Sequence, residues 1–116
     1  MKSHDSWIID VTETDFTAQV VEGSQQRPVL VDFWAEWCGP CRALTPLLER
    51  VVLSYHGRVL LAKVEADENM RLAGLYRLRG FPTCLLFRDG EMVGHFSGMR
   101  PEHFVRDFIE THGRLP

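Results

Sequence analysis

Cys38 and Cys41 are separated only by Gly39 and Pro40, which puts two thiols one helical turn apart. Thiols at that spacing can close a disulfide on each other and reopen it. The run Val29 to Trp34 before them is apolar and β-branched enough for a buried strand. After them, Ala43, Leu44, Leu47, Leu48, Val51 and Val52 recur at helical spacing. The pair therefore sits at a strand-to-helix junction, where the free N–H groups and dipole of a helix N-terminus favour negative charge. Only a thiolate attacks, so Cys38 is expected to be the nucleophile and Cys41, a turn further in, the resolving thiol. A loop this short gains only roughly 2 kcal/mol from being cross-linked, which favours a working disulfide over a structural one. The alternative is half of a zinc site, which needs two further ligands. Cys84 stands alone and the five histidines are scattered, so no metal is expected.

Two ionisable residues stand out in apolar strands. Asp32 lies in the middle of Val29-Leu30-Val31-Asp32-Phe33-Trp34, where burial raises its affinity for a proton and suits it to accept the Cys41 proton. A purely structural, hydrogen-bonded carboxylate is the competing reading. Lys63, in Val59-Leu60-Leu61-Ala62-Lys63-Val64, is a candidate partner for Asp32, and such a pair would oppose the effect of burial, leaving the net direction open; a lysine reaching solvent from a strand end is its alternative.

These residues need a scaffold, and 116 residues suffice for one domain with its own core, spanning 1–116 with 1–6 as a loose extension. A strand from Trp7 to Val11 leads to a helix capped by Thr12 or Thr14 and carrying Phe16 and Val20. A turn-like stretch, Glu22 to Pro28, precedes the Val29–Trp34 strand. The helix after the cysteines contains Pro46, which is expected to kink it. Val59 to Val64 reads as a third strand and Glu68 to Tyr76 as a short helix with Leu72, Leu75 and Tyr76 inward. Thr83 to Phe87 and Met92 to Phe96 flank Asp89-Gly90, a hairpin signal that makes this pair antiparallel. Pro101 opens a final helix with Phe104, Val105, Phe108 and Ile109 as its buried stripe. The order is βαβαβαββα, an α/β chain with a central five-stranded mixed sheet flanked by helices.

Thirteen basic and sixteen acidic residues give a net charge of -3, with no basic cluster interleaved with aromatics, so nucleic-acid binding is not expected. No run approaches the ~18 apolar residues of a membrane span, and the first residues lack the apolar stretch of a signal peptide. Three cysteines, two in one motif, fit a reducing compartment; the expectation is a soluble, cytoplasmic protein without membrane association.

Phe33-Trp34-Ala35-Glu36-Trp37-Cys38-Gly39-Pro40-Cys41 resembles the signature of the thioredoxin family, and the similarity extends to Pro46, Gly80-Phe81-Pro82-Thr83, Asp89-Gly90 and Gly98. The resemblance implies the thioredoxin fold and a protein-disulfide reductase. It implies recycling by thioredoxin reductase, a flavoprotein that draws on NADPH, so that no cofactor is bound by the chain itself. It also implies disulfide-bearing client proteins as partners and a monomer, with Asp32 and Lys63 as modulators of proton transfer. By the same resemblance Pro82 is cis, and Trp37, Gly39, Pro40, Gly80, Phe81, Pro82 and Gly98 form the rim where an extended client segment pairs with the Phe81 backbone. Phe81 is bulkier than the family's usual aliphatic residue, and Met99 follows Gly98 where small residues are common. Cys84 is expected to be a small buried hydrophobe. Two other readings compete: a binding module that ignores its thiols, and a disulfide-forming oxidase.

Overall fold

The computed structural model describes residues 4–115. Five strands form one sheet in the order β1-β3-β2-β4-β5: β1 (Ile8–Asp10), β2 (Val29–Trp34), β3 (Leu60–Glu65), β4 (Thr83–Arg88) and β5 (Glu91–Ser97). β1, β3 and β2 run parallel, while β4 is antiparallel to β2 and β5 to β4. The mixed sheet flanked by helices is the architecture expected from the alternating pattern. Three α-helices accompany it: α1 (Gly39–Leu53), α2 (Met70–Leu75) and α3 (Glu102–Gly113).

Strand periodicity divides the apolar residues between two faces. Leu30, Cys84, Leu86 and Phe96 pack with Leu44, Leu48, Val51 and Val52 of α1 and Val105, Phe108 and Ile109 of α3. On the other face Val29, Val31 and Phe33 pack with Phe16, Val20 and Leu72. The same alternation forces Asp32 onto the face of Leu30, beneath α1. There the register aligns Asp10, Lys63, Asp32, Cys84 and Phe96 in one row across all five strands.

Several local expectations shift. The segment after β1 forms a turn at 13–15 and then a π-helix, Thr17–Glu22, rather than a regular α-helix. Neither Thr12 nor Thr14 caps this helix, whose N-cap is Phe16 without a side-chain bond; Thr12 instead closes the preceding turn, its N–H donating to Asp15 Oδ1 and its Oγ1 accepting from the Thr14 N–H. The short helix splits into a 3-10 turn, Ala66–Glu68, and α2; Leu72 is buried and Tyr76 packs against the same cluster, but Leu75 is 68% exposed. Leu75 is turned about 100° from Tyr76 around the axis, so the face that packs Leu72 and Tyr76 leaves it toward solvent. α1 continues through Pro46 without ending there. Residues 1–3 of the expected N-terminal extension lie outside the described residues, and His4–Trp7 form a turn of 3-10 helix.

α1 and α3 are tied where they meet. The Tyr55 hydroxyl donates to Glu110 Oε2 at 2.8 Å, and the Arg106 guanidinium lies over the Tyr55 ring while donating to Ser54 Oγ. Leu48 is fully enclosed under α1. Truncating it as Leu48→Ala is expected to cost about 2–5 kcal/mol, read as a lower urea midpoint with an unchanged slope.

Candidate active site

Cys38 is the N-cap of α1, with extended backbone (φ −92°, ψ 106°), and its Sγ accepts a hydrogen bond from the Cys41 N–H at 3.2 Å. Pro40 stands in the first turn, where its missing N–H costs nothing. The two cysteines are joined as a disulfide, with their Cα atoms 5.4 Å apart. Both are nearly enclosed, at 3% and 2% exposure, so accessibility does not separate their roles. Their positions differ: Cys38 caps the helix, whereas Cys41 lies within its first turn and lines a cleft of about 420 Å³ with Thr45, Glu49 and Lys63.

Behind that cleft sits Asp32, with no exposed surface. Its Oδ2 accepts a hydrogen bond from Thr45 Oγ1 at 2.7 Å; Oδ1 is buried without a partner among the described residues. Burial pushes the carboxyl up to about 6; the Thr45 bond and the Lys63 charge oppose that rise, and Glu49 adds to it. Lys63 pairs with Glu49 on α1, Nζ to Oε2 at 2.8 Å, and not with Asp32. The long lysine side chain reaches the helix, while its charge still acts on the carboxylate one strand away. Burial pulls the lysine down, but Glu49, Asp10 and Asp32 outweigh it and raise it overall.

The rim around the disulfide is apolar, with Trp37, Gly39, Pro40 and Gly80 exposed, Phe81 and Gly98 half-buried and Pro82 buried. Trp37, 65% exposed, meets Phe81 edge to face with centroids 5.9 Å apart, and its Nε1 donates to Asp67 Oδ2. The Phe81–Pro82 bond is cis. The Gly98 N–H donates to the Pro82 carbonyl at 2.9 Å, with Gly98 at φ +82°, a conformation that favours glycine. Thr83 Oγ1 donates to the Gly80 carbonyl, closing the loop from its other side. Gly39 and Pro40 are exposed beside the disulfide, and Met99 is 44% exposed next to Gly98. The structure thus brings Trp37, Cys38, Phe81, Pro82 and Gly98 together.

Among the described residues, no group of three or more His, Cys, Asp or Glu is placed to hold a metal ion. No described helix is long and apolar enough to cross a membrane. Cys84 is wholly buried in the sheet, and burial followed by the Asp32 charge pushes its thiol well up. A larger cleft, about 620 Å³, lies at the far end of β2 and is lined by Arg27, Arg58, Arg88 and Arg114. It holds no part of the dithiol chemistry. Arg58 and Arg88 there donate to the carbonyls of Tyr55 and His112, near the negative C-terminal ends of α1 and α3.

The sequence profile described as Thioredoxin matches residues 7–111, spanning the disulfide, the cis-proline loop and the whole sheet. The chain belongs to the thioredoxin family. Curated thioredoxins from Staphylococcus aureus strains Mu50 / ATCC 700699, MW2 and N315 are each 37% identical over 105 residues, covering 90% of this chain and 97% of theirs. As a thioredoxin-family protein it is a protein-disulfide oxidoreductase, working by dithiol–disulfide exchange at a redox-active cysteine pair. The family's partners in general are thioredoxin reductase and proteins bearing disulfides.

Sequence reasoning missed Thr45 and Glu49, although Cys41, Thr45 and Glu49 recur every four residues and so share one face of α1. It also missed Asp67 as the acceptor for Trp37, a contact between residues thirty apart that no local pattern marks.

The raised carboxyl of Asp32 carries a signed consequence for stability. Its ordinary value is 3.8 and its folded value about 6, so the folded chain holds this proton more tightly than the unfolded one. The resulting stabilisation is complete below about 3.8 and is lost as pH rises through about 6, leaving an ionised buried carboxylate that costs about 3 kcal/mol. Asp32→Asn is therefore expected to be more stable than the parent by about that amount at pH 8, with the gain disappearing by pH 4. Urea unfolding at the two pH values checks this, and equal gains at both would refute it.

Proposed function

We propose that the chain is a general protein-disulfide reductase in which Cys38 attacks and Cys41 resolves. The observation that carries this reading is the placement of Cys38 at the N-cap of α1, beside the cis Phe81–Pro82 loop. The Cys38 thiolate attacks a client disulfide, forming a mixed disulfide and releasing one client thiolate. Cys41 then gives its proton to Asp32 and attacks Cys38 Sγ. The Cys38–Cys41 bond forms, the bond to the client breaks, and the client leaves with two electrons gained. Lys63, paired with Glu49, supplies positive charge that favours the ionised carboxylate.

Trp37, Gly39, Pro40, Gly80, Phe81, Pro82 and Gly98 form the surface on which an extended client segment lies, its main chain pairing with the Phe81 backbone. Such pairing reads little client sequence and suits many partners. Recycling by a flavoprotein thioredoxin reductase drawing on NADPH completes the cycle, and the cytoplasm is the reducing compartment this direction of flow requires. A single domain acting as a monomer is sufficient, because every group named here comes from one chain.

The test is turnover of a protein disulfide with NADPH and thioredoxin reductase. Cys38→Ser is expected to fall to the uncatalysed rate, and Cys41→Ser to accumulate covalent mixed disulfides with its clients. Full activity in Cys38→Ser would sink the assignment.

A further inference from the structure

Thr45 is the one described residue that both lines the cleft at Cys41 and makes a hydrogen bond to Asp32. A threonine inside a helix ordinarily returns its hydroxyl to the carbonyl one turn back. Thr45 instead reaches off α1 to β2, and helix propensity gives no reason for a β-branched residue there. Its hydroxyl donates, since an ionised carboxylate only accepts. The bond therefore engages Oδ2 and leaves Oδ1 buried without a partner among the described residues, making the two oxygens inequivalent.

We propose that Thr45 is a positioning residue for the proton step: its hydroxyl clamps Oδ2, sets the plane of the carboxylate, and reserves Oδ1 to exchange the proton of Cys41. The proposal rests on the reading of Asp32 as proton acceptor. In the resolving step the proton on Cys41 Sγ passes to Oδ1. The electron pair left on sulfur forms the bond to Cys38, and the pair of the broken bond departs on the client sulfur. Because the clamp is a donor to the charged form, it also keeps more of the carboxylate ionised and ready to accept.

The groups facing Asp32 come from every neighbouring element. α1 contributes Cys41, Thr45 and Glu49, and β3 contributes Lys63, which is itself influenced by Asp10 of β1. β4 contributes Cys84, the register partner of Asp32, and Glu36 and Arg42 border the cleft. Lys63 is already engaged by Glu49, so among these groups the Thr45 hydroxyl alone makes a direct hydrogen bond to the carboxylate.

The variants are Thr45→Val, which keeps the shape and removes the hydroxyl, and Thr45→Ser, which keeps the hydroxyl. Two quantities are measured across pH: the ¹³C carboxyl resonance of Asp32 in the reduced protein, and the rate at which a preformed mixed disulfide on Cys38 is resolved. In Thr45→Val, Asp32 is expected to titrate higher than in the parent, and the acidic limb of the rate profile to move with it. Resolution at pH 6 should then slow roughly fivefold, because losing one hydrogen bond to the charged form raises proton affinity about tenfold and takes the carboxyl from about half to about a tenth ionised at that pH. Thr45→Ser should restore both. An unmoved Asp32 titration in Thr45→Val, or a Thr45→Ser that behaves like Thr45→Val, overturns the proposal. Asp32→Asn separates the two levels: an acidic limb that survives it refutes Asp32 as acceptor. A limb that vanishes there, yet stays in place in Thr45→Val, refutes the role of Thr45 alone. Should Thr45→Val fail to fold, Thr45→Ala makes the same comparison.

Discussion

An ionisable carboxylate with no exposed surface, set in the central strand of the sheet, is the constraint around which this molecule is arranged. Burial of that kind is unfavourable for the charged form, and the protein tempers the penalty without abolishing it. One oxygen receives a hydroxyl, a lysine stands one strand away, and the other oxygen has no partner among the described residues. A full salt bridge would hold the group ionised throughout, and complete isolation would hold it protonated. The observed compromise leaves it able to change state near neutral pH.

The helix α1 serves two ends at once. Leu44, Leu48, Val51 and Val52 anchor it to the sheet, and this apolar stripe fixes its height above β2. With that height set, the adjoining row of Cys41, Thr45 and Glu49 meets the row of strand residues that includes Asp32 and Lys63. The N-cap at Cys38 follows from the same placement, because the strand must hand over to the helix within a few residues. Apolar packing thereby sets the distances between the polar groups buried beside it.

Much of this was legible beforehand, for identifiable reasons. The β2 strand and α1 announce themselves by period, and Asp89-Gly90 marks the hairpin between β4 and β5 as a local chemical signal. Cys38, Cys41 and Asp32 could be singled out because each residue type is unusual in its setting. The π-helical form of Thr17–Glu22 was not legible, since Phe16 and Val20 suit a regular helix equally well. Nor was the partner of Lys63. Asp32 and Glu49 both lie within reach of a strand lysine, and only the seating of α1 decides between them. Thr45 carries no alarm in sequence: its meaning comes from what lies across the gap, which one helix cannot report.

Cys84 closes the picture by what it withholds. Its sulfur lies at the register position beside Asp32, wholly enclosed, with its thiol pushed well up. Enclosure and a neutral thiol together deny it to oxidants and to partner disulfides alike. Exchange in the folded chain is thereby confined to the pair at the start of α1, because the third thiol lies inside the sheet and holds its proton.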